Sequence, residues 1–360
     1  LEPPSADPHA RWCERTGVSH PLLLDYGVNY DNVDRTHQTL CITIGGSMDH
    51  LTRVLTDFYG LEHTEVIPQQ GGWAALAYRV QIDKQTYFLK VYEKSRASTP
   101  KWTALIDDYV PVLLWLEDHS SLRGKIPVPI LTQDGYYQCE DDEGIYLLYE
   151  YIVGDTIADH ELTKDQVRQL AEIVAELHRY GEEIPMLTSA MKESFDVPFL
   201  GSLRSILDAD IPFDIREVMF HHTDRLKGLM HEVESLSEVL KGRNLRMALC
   251  HTDIHGWNLM SAGRQLKLID WEGLKLAPVE ADMMFFVEKP YFSEFMKIYT
   301  DTHPYYEVNF EALKFYQGRR RLEDVWEFTE QFLYDIQNDE ERRSTLSSLR
   351  KELEEIVLTQ

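Results

Sequence analysis

The sequence predicts an α+β fold in two lobes, a small β-rich N-lobe and a larger helical C-lobe. Three observations predict it. Runs with strand-type alternation crowd into residues 65–152, helical apolar spacing takes over beyond VGDTI at 153–157, and no apolar stretch approaches the roughly 18 residues that span a bilayer, VPVLLWL at 110–116 being among the longest.

Composition narrows the function before any motif does. The chain carries 61 acidic and 36 basic residues, a net charge of −25. Such a field repels nucleic acid and anionic lipid and attracts small cations, so neither nucleic acid nor membrane is expected as a partner; an acidic surface serving solubility alone is the other reading. Cys13, Cys41, Cys139 and Cys250 are scattered with no C-x-x-C pair, which points to neither a zinc knuckle nor a disulfide framework and suits a reducing cytoplasm. No N-terminal segment joins a basic start to a long apolar run, so a soluble cytoplasmic protein is expected.

Residues 1–47 are rich in Pro, His and Asp, lack any apolar period and end in IGGS before Met48. Gly-Gly just ahead of Met is what a purine-rich ribosome-binding site yields when translated in frame. The segment is therefore expected to be a non-native leader with Met48 as the natural start; a disordered docking arm is the alternative. The N-lobe is then expected over 48–152 and the C-lobe over 153–360. Leu51, Val54, Leu55 and Phe58 fall at helical spacing before Gly60, which predicts a short helix. EVIPQ at 65–69 reads as a strand, and AYRVQI at 77–82 and TYFLKVY at 86–92 as a hairpin. Residues 102–118 have helical spacing but contain Pro111, which predicts a helix begun or kinked there. IPVPIL, GYYQC and IYLLYEYI add strands up to about residue 152.

Beyond that point Thr163 and Gln166 form a capping box, Val167, Leu170, Ile173, Val174 and Leu177 make one apolar face, and Gly181 ends the helix. Further helices are predicted across 217–241, 281–300 and 310–357, with short strands near 245–249 and 266–269. A cleft is expected between the lobes.

Two segments carry the chemistry, HTDIHGWN at 251–258 and LIDWE at 268–272. His251, Asp253 and His255 alternate and on a strand could ligate a transition metal, with His221 and His222 as possible additions, but this leaves Asn258 unexplained. Phosphoryl transfer explains more. It needs an aspartate to orient the acceptor hydroxyl, an asparagine to hold a metal and a second aspartate to bind Mg²⁺ against the nucleotide phosphates; Asp253, Asn258 and Asp270 meet that demand in order. Lys90 lies in a strand beside Phe88 and Tyr92, an awkward place for a cation without an anionic partner. Gly71 and Gly72 stand in a turn whose backbone N–H groups could cover phosphates, and the strand YLLYEYI could offer backbone to adenine. No G-x-x-x-x-G-K-[ST] and no G-x-G-x-x-G is present, so neither a Walker nor a Rossmann fold is supported. The ordered set is what a protein-kinase-like fold needs.

LCHTDIHGWNLM and LKLIDWEGLKLAPVEADMMFF resemble the aminoglycoside phosphotransferase family of kinase-like small-molecule kinases, and within it the spectinomycin phosphotransferases. The resemblance runs from about residue 48 to 335. It implies Asp253 as catalytic base, Asn258 and Asp270 as Mg²⁺ ligands, Lys90 as the lysine on the α- and β-phosphates, and Glu150, Tyr151 and Ile152 as the hinge that meets adenine. His251 and Asp282 would brace the catalytic loop. Asp107 and Asp108 are the nearest first-lobe acids to partner Lys90, one carbon shorter than the family's glutamate. RRRLEDVWEFTEQF at 319–332 resembles the acceptor-side helix, so Glu323, Asp324 and Glu327 are candidate acceptor ligands; offsetting Arg319, Arg320 and Arg321 is their other reading. Trp257, Trp271 and Trp326 could each offer a flat face to a protonated ring. The implied activity is transfer from ATP or GTP, with Mg²⁺, to a hydroxyl of a small cationic acceptor. An aminocyclitol or aminoglycoside antibiotic comes first, hence resistance, and homoserine or choline is the alternative. A catalytically silent nucleotide-binding module is the reading from another class, and a monomer or dimer is expected.

Overall fold

The computed structural model describes residues 48–69, 74–209 and 211–356. The expected leader at 1–47 and the Gly71–Gly72 turn lie outside the described residues. The first lobe comprises α1 (Met48–Tyr59), β1 (Glu65–Gln69), β2 (Leu76–Ile82), β3 (Gln85–Glu93), α2 (Thr99–Thr103), α3 (Ile106–His119), β4 (Pro129–Ile130), β5 (Cys139–Glu140) and β6 (Gly144–Glu150). Its strands form one antiparallel sheet in the order β1-β2-β3-β6-β4, with β5 also paired to β6.

Strand alternation sets the two faces of that sheet. Leu89 and Val91 of β3 and Tyr146 and Leu148 of β6 join Leu51, Val54 and Leu55 of α1 in one core cluster. Phe88 and Lys90 take the other face and line an interlobe cleft, while Tyr92 and Leu147 join the main core with Tyr109 of α3. Burying each of the α1 side chains stabilises the lobe by roughly 1.5–3 kcal/mol. A one-residue slip of β3 would turn Lys90 into that apolar core.

The second lobe comprises β7 (Asp155–Thr156), α4 (Lys164–Leu177), α5 (Phe199–Asp208), α6 (Phe213–Phe220), α7 (Thr223–Lys241), β8 (Met247–Cys250), β9 (Leu259–Ala262), β10 (Gln265–Leu268), β11 (Lys275–Pro278), α8 (Glu280–Met283), α9 (Phe292–Thr302), α10 (Phe310–Tyr334) and α11 (Asp339–Glu355). Thr163 caps α4 in the expected capping box with Gln166, and Val167, Leu170, Ile173, Val174 and Leu177 are all buried. Two small antiparallel sheets, β10-β9-β7 and β11-β8, carry the motif segments. None of the described helices is long and apolar enough to cross a membrane.

Several elements differ from expectation. α3 starts at Ile106 and carries Pro111 inside it. The helical stretch expected across 217–241 divides at His221 and His222, and that across 281–300 divides between Met283 and Phe292. That expected over 310–357 breaks at Asn338, whose side chain accepts the Glu340 and Glu341 amides in a second capping box. α5, β7, β9 and β11 were not anticipated.

Gly256 packs the first motif segment closely against the chain that follows β7. Its carbonyl accepts the Ala158 amide at 3.0 Å, and a Cβ on it would stand 1.9 Å from the Ala158 carbonyl oxygen. Backbone cannot give way cheaply there, so Gly256→Ala is expected to cost at least about 2 kcal/mol. Urea denaturation of the variant against the parent chain measures it, and a difference within about 0.5 kcal/mol would contradict the contact.

Candidate active site

The buried strand β8 delivers HTDIHGWN to the cleft and stops at Cys250. Thr252 then adopts φ 69°, a left-handed conformation that a β-branched residue avoids. Asp282, fully buried, makes it tenable: its carboxylate accepts the Thr252 amide at 2.6 Å and the His251 amide at 3.1 Å. His178 donates to the same carboxylate from Nε2 at 3.0 Å, while its Nδ1 accepts the Tyr299 hydroxyl at 2.9 Å. The Thr252 hydroxyl donates to the Gly273 carbonyl, tying this loop to the LIDWE segment.

His251 is wholly used inside the site. Its Nε2 donates to the Ile269 carbonyl at 2.9 Å and its Nδ1 accepts the Asp253 amide at 3.2 Å. His255 faces Asp253 at 3.2 Å, and His221 and His222 sit at the α6–α7 junction. The metal reading built on these histidines therefore gives way to one in which His251 and His255 bond within the loop and His221 and His222 lie apart from it. The one cluster of metal-ligand type among the described residues, His178, Cys250 and Asp282, is explained by the hydrogen bonds just given, and burial pushes the Cys250 thiol well above its usual range.

Asp253, Asn258 and Asp270 do converge. Asn258 Nδ2 donates to the Asp253 carbonyl at 2.9 Å and to Asp253 Oδ2 at 3.0 Å, which leaves its own amide oxygen to face a cation. Ile269 N donates to the Asn258 carbonyl at 2.9 Å, joining the two motifs backbone to backbone. Asp270 takes φ 62° and presents a side chain 41% exposed toward the cleft. An amide oxygen and a carboxylate are the hard donors that suit Mg²⁺.

Lys90 meets anions from the second lobe. Its Nζ lies 2.8 Å from Asp270 Oδ1 and 2.5 Å from Glu272 Oε1, and the Tyr92 hydroxyl donates to Glu272 as well. Burial alone would lower the Lys90 pKa, but Asp270 and Glu272 raise it well above the usual value. Neither Asp107 nor Asp108 has a described bond to Lys90, which corrects that expectation; α3 places Tyr109, buried, near it instead. Glu272 was visible as the last letter of LIDWE, but only the lobe arrangement brings it to Lys90.

Two cavities meet at these residues. A cleft of about 440 Å³ between the lobes is lined by Lys90, by Glu150, Tyr151 and Ile152, and by Asn258. A second cavity of about 220 Å³ is lined by Lys101, Arg319, Arg320, Glu323 and Glu327. Asp253, Asp270, Glu272 and Trp102 border both. Of the expected tryptophans, Trp257 and Trp271 both border the cleft, Trp271 being largely buried with its indole N–H on the Leu268 carbonyl.

The smaller cavity is an ion network. Arg320 Nη1 donates to Asp253 Oδ1 at 2.8 Å, and its Nε lies 3.0 Å from Asp324 Oδ1. Burial would raise the Asp253 pKa, but Arg320 and His255 hold the carboxylate far below its usual range. Glu323 and Glu327 pair with Lys101 of the first lobe, and Arg319 pairs with Glu193 at 2.9 Å. Burial alone would raise Glu323, yet Lys101 and Arg319 bring it down to about 2. Of the three acids proposed for the acceptor, Glu323 and Glu327 line the cavity and Asp324 sits behind Arg320. Lys101, Trp102 and Arg320 carried no signal of their own in the sequence.

Residues 65–323 match the model of the phosphotransferase enzyme family. Comparison with curated proteins gave no match. The fold is similar to that of a spectinomycin phosphotransferase solved with ADP and spectinomycin, with TM-score 0.67 and 21% identity over 84% of this chain and 93% of that one. It is also similar to a microcompartment-associated aminopropanol kinase (TM-score 0.59, 15% identity, 85% of this chain and 95% of that one). A choline kinase from Streptococcus pneumoniae aligns at TM-score 0.50 and 17% identity over 85% of this chain and 98% of its own. These likenesses bear out the two-lobed kinase-like fold.

Arg320 alone faces both Asp253 and Asp324, and one guanidinium cannot neutralise two buried carboxylates. Burial pushes Asp324 up to about 8; Arg320 pulls it down, and Glu327, Glu323 and Asp253 add to the rise. A carboxyl whose folded pKa lies above its unfolded value of about 3.9 stabilises the fold at low pH, and that contribution drains away as pH climbs toward the folded value. Asp324→Asn is expected to flatten the decline in Tm between about pH 5 and 8. Thermal melts across that range check it; an unchanged slope would show that Asp324 is ionised already.

Proposed function

Because the chain belongs to the phosphotransferase enzyme family, we propose that it transfers the γ-phosphoryl of ATP, or of GTP, to a hydroxyl of a small cationic acceptor. An aminocyclitol or aminoglycoside antibiotic of the spectinomycin type is the first choice, and resistance its consequence. The observation that carries this reading is the shared wall: the nucleotide-sized cleft and the anionic cavity meet at Asp253 and Asp270. A donor phosphate and an acceptor hydroxyl lying one in each cavity would face each other across Asp253.

In this reading Asp253 accepts a hydrogen bond from the acceptor hydroxyl and takes its proton as the oxygen bonds to the γ-phosphorus. The bond from that phosphorus to the β–γ bridging oxygen breaks, and the nucleoside diphosphate departs. Asp253 is a weak base here because Arg320 and His255 stabilise its anion, so its main contribution is orientation. Lys90 turns its ammonium from Asp270 toward the α- and β-phosphates. Asn258 and Asp270 would hold Mg²⁺, which when bound offsets phosphate charge. Glu150, Tyr151 and Ile152 offer backbone to the base, and Glu323 and Glu327 offer carboxylates to the acceptor's ammonium groups.

A metabolic kinase acting on an amino alcohol such as choline or homoserine is the second reading. The cavity favours it in one respect: at about 220 Å³ it matches a small amine in size. A silent nucleotide-binding module fits less well, since Asp253, Asn258 and Asp270 are not only retained but assembled.

Incubating the protein with Mg-ATP and a panel of spectinomycin, other aminoglycosides, choline and homoserine should give one acceptor a mass gain of one phosphoryl group. Asp253→Ala should lower kcat by about 100-fold or more while nucleotide affinity, measured by calorimetry, stays within a few-fold. Nucleotide binding without transfer to any member would turn the reading to the silent module.

A further inference from the structure

Lys101 stands on α2 of the first lobe, yet its ammonium reaches across to the second. Its Nζ lies 2.6 Å from Glu323 Oε1, contacts Glu327 as well, and sits 4.4 Å from the centre of the Trp102 ring. Two carboxylates one helical turn apart and an aromatic face are what a receptor for an alkylammonium needs. The geometry of this receptor is complete, and a side chain of the protein itself occupies it.

The occupant is poorly anchored compared with its host. The Lys101 side chain is 40% exposed, whereas Glu327 is 4% exposed. A long lysine stem at the mouth regains rotamer freedom and water when it leaves; Glu327 has no such exit and Glu323 only a partial one, so the pair favours a replacement cation. Trp102 borders both cavities, and its buried indole Nε1 donates to none of the described residues, so the receptor also offers an unused donor.

We propose that Lys101 determines acceptor specificity as a built-in competitor: it fills an ammonium subsite made by Glu323, Glu327 and Trp102, and only an acceptor carrying its own ammonium can displace it. The inference rests on the acceptor reading above and deepens it. A neutral polyol brings no charge to replace Lys101 beside Glu323 and Glu327, whose other cationic neighbours Arg319 and Arg320 are engaged with Glu193, Asp253 and Asp324, and is rejected, while a cationic acceptor breaks a link between the lobes as it binds. Acceptor entry is thereby coupled to the position of the first lobe, which carries Lys90.

Lys101→Ala tests this without knowledge of the acceptor. Thermal melts in butylammonium chloride and in sodium chloride of equal ionic strength should show the variant about 2 °C more stable in the ammonium salt, and the parent chain equally stable in both. With a phosphorylated acceptor in hand, its KM should fall about fivefold in Lys101→Ala while the KM for ATP stays within about twofold, and Lys101→Arg should restore the higher value. Should Lys101→Ala not purify folded, Lys101→Gln carries the same comparison. Equal stability of the variant in the two salts, or an acceptor KM that does not fall, overturns the proposal and leaves Lys101 a strut between lobes. Rescue by butylammonium with no acceptor phosphorylated would keep the subsite and remove the kinase reading; phosphorylation without rescue does the reverse.

Discussion

A single buried carboxylate, Asp282, makes the rest of the site possible. It accepts two consecutive backbone amides, from His251 and Thr252, and a hydrogen bond from the His178 ring, all away from water. Thr252 could not hold φ 69° unaided, since a left-handed non-glycine residue costs of order 1–3 kcal/mol. Charge-assisted bonds of this kind are the strong ones, and in a low-dielectric interior they outweigh that strain. Because Thr252 is bent, Asp253 next to it turns into the cleft; because Thr252 Oγ1 holds Gly273, the segment with Asp270 and Glu272 stays opposite. The catalytic geometry thus depends on one residue that touches neither expected substrate.

The site also solves a problem set by composition. A chain of net charge −25 gathers acids at the one place where an ATP-like anion would lie. It answers with internal cations: Lys90 covers Asp270 and Glu272, Arg320 covers Asp253, and Lys101 covers Glu323 and Glu327. Each of these pairs lies where a ligand charge is expected to arrive. The resting network keeps buried carboxylates from repelling one another, and it sets what an incoming nucleotide or amine must exchange.

Much of this was legible in the sequence wherever the information is local. The hairpin around Lys90, the Thr163 capping box and the two motif segments depend on period and spacing within a few residues, and each stands where expected. Asp253, Asn258 and Asp270 were readable because phosphoryl transfer would call for those groups in that order. The partner of Lys90 was not: Glu272 is 182 positions away, and its meeting with Lys90 is decided by how the lobes pack. Nothing in the sequence singled out Lys101, and Arg320 stood as one member of a basic run. The junction at His221 and His222 has no glycine or proline to announce it, whereas the break at Asn338 did carry a capping box that the longer helical period obscured.

Asp253, Asn258 and Asp270 stand where two cavities meet, and the proposed phosphoryl transfer requires them to act there as one centre. Anomalous scattering from Mn²⁺ in crystals grown with a non-hydrolysable ATP analogue tests it most directly. The ion is expected between Asn258 and Asp270, with the terminal phosphate turned toward Asp253. An ion at His178, Cys250 and Asp282, or a triphosphate pointing away from Asp253, would contradict it.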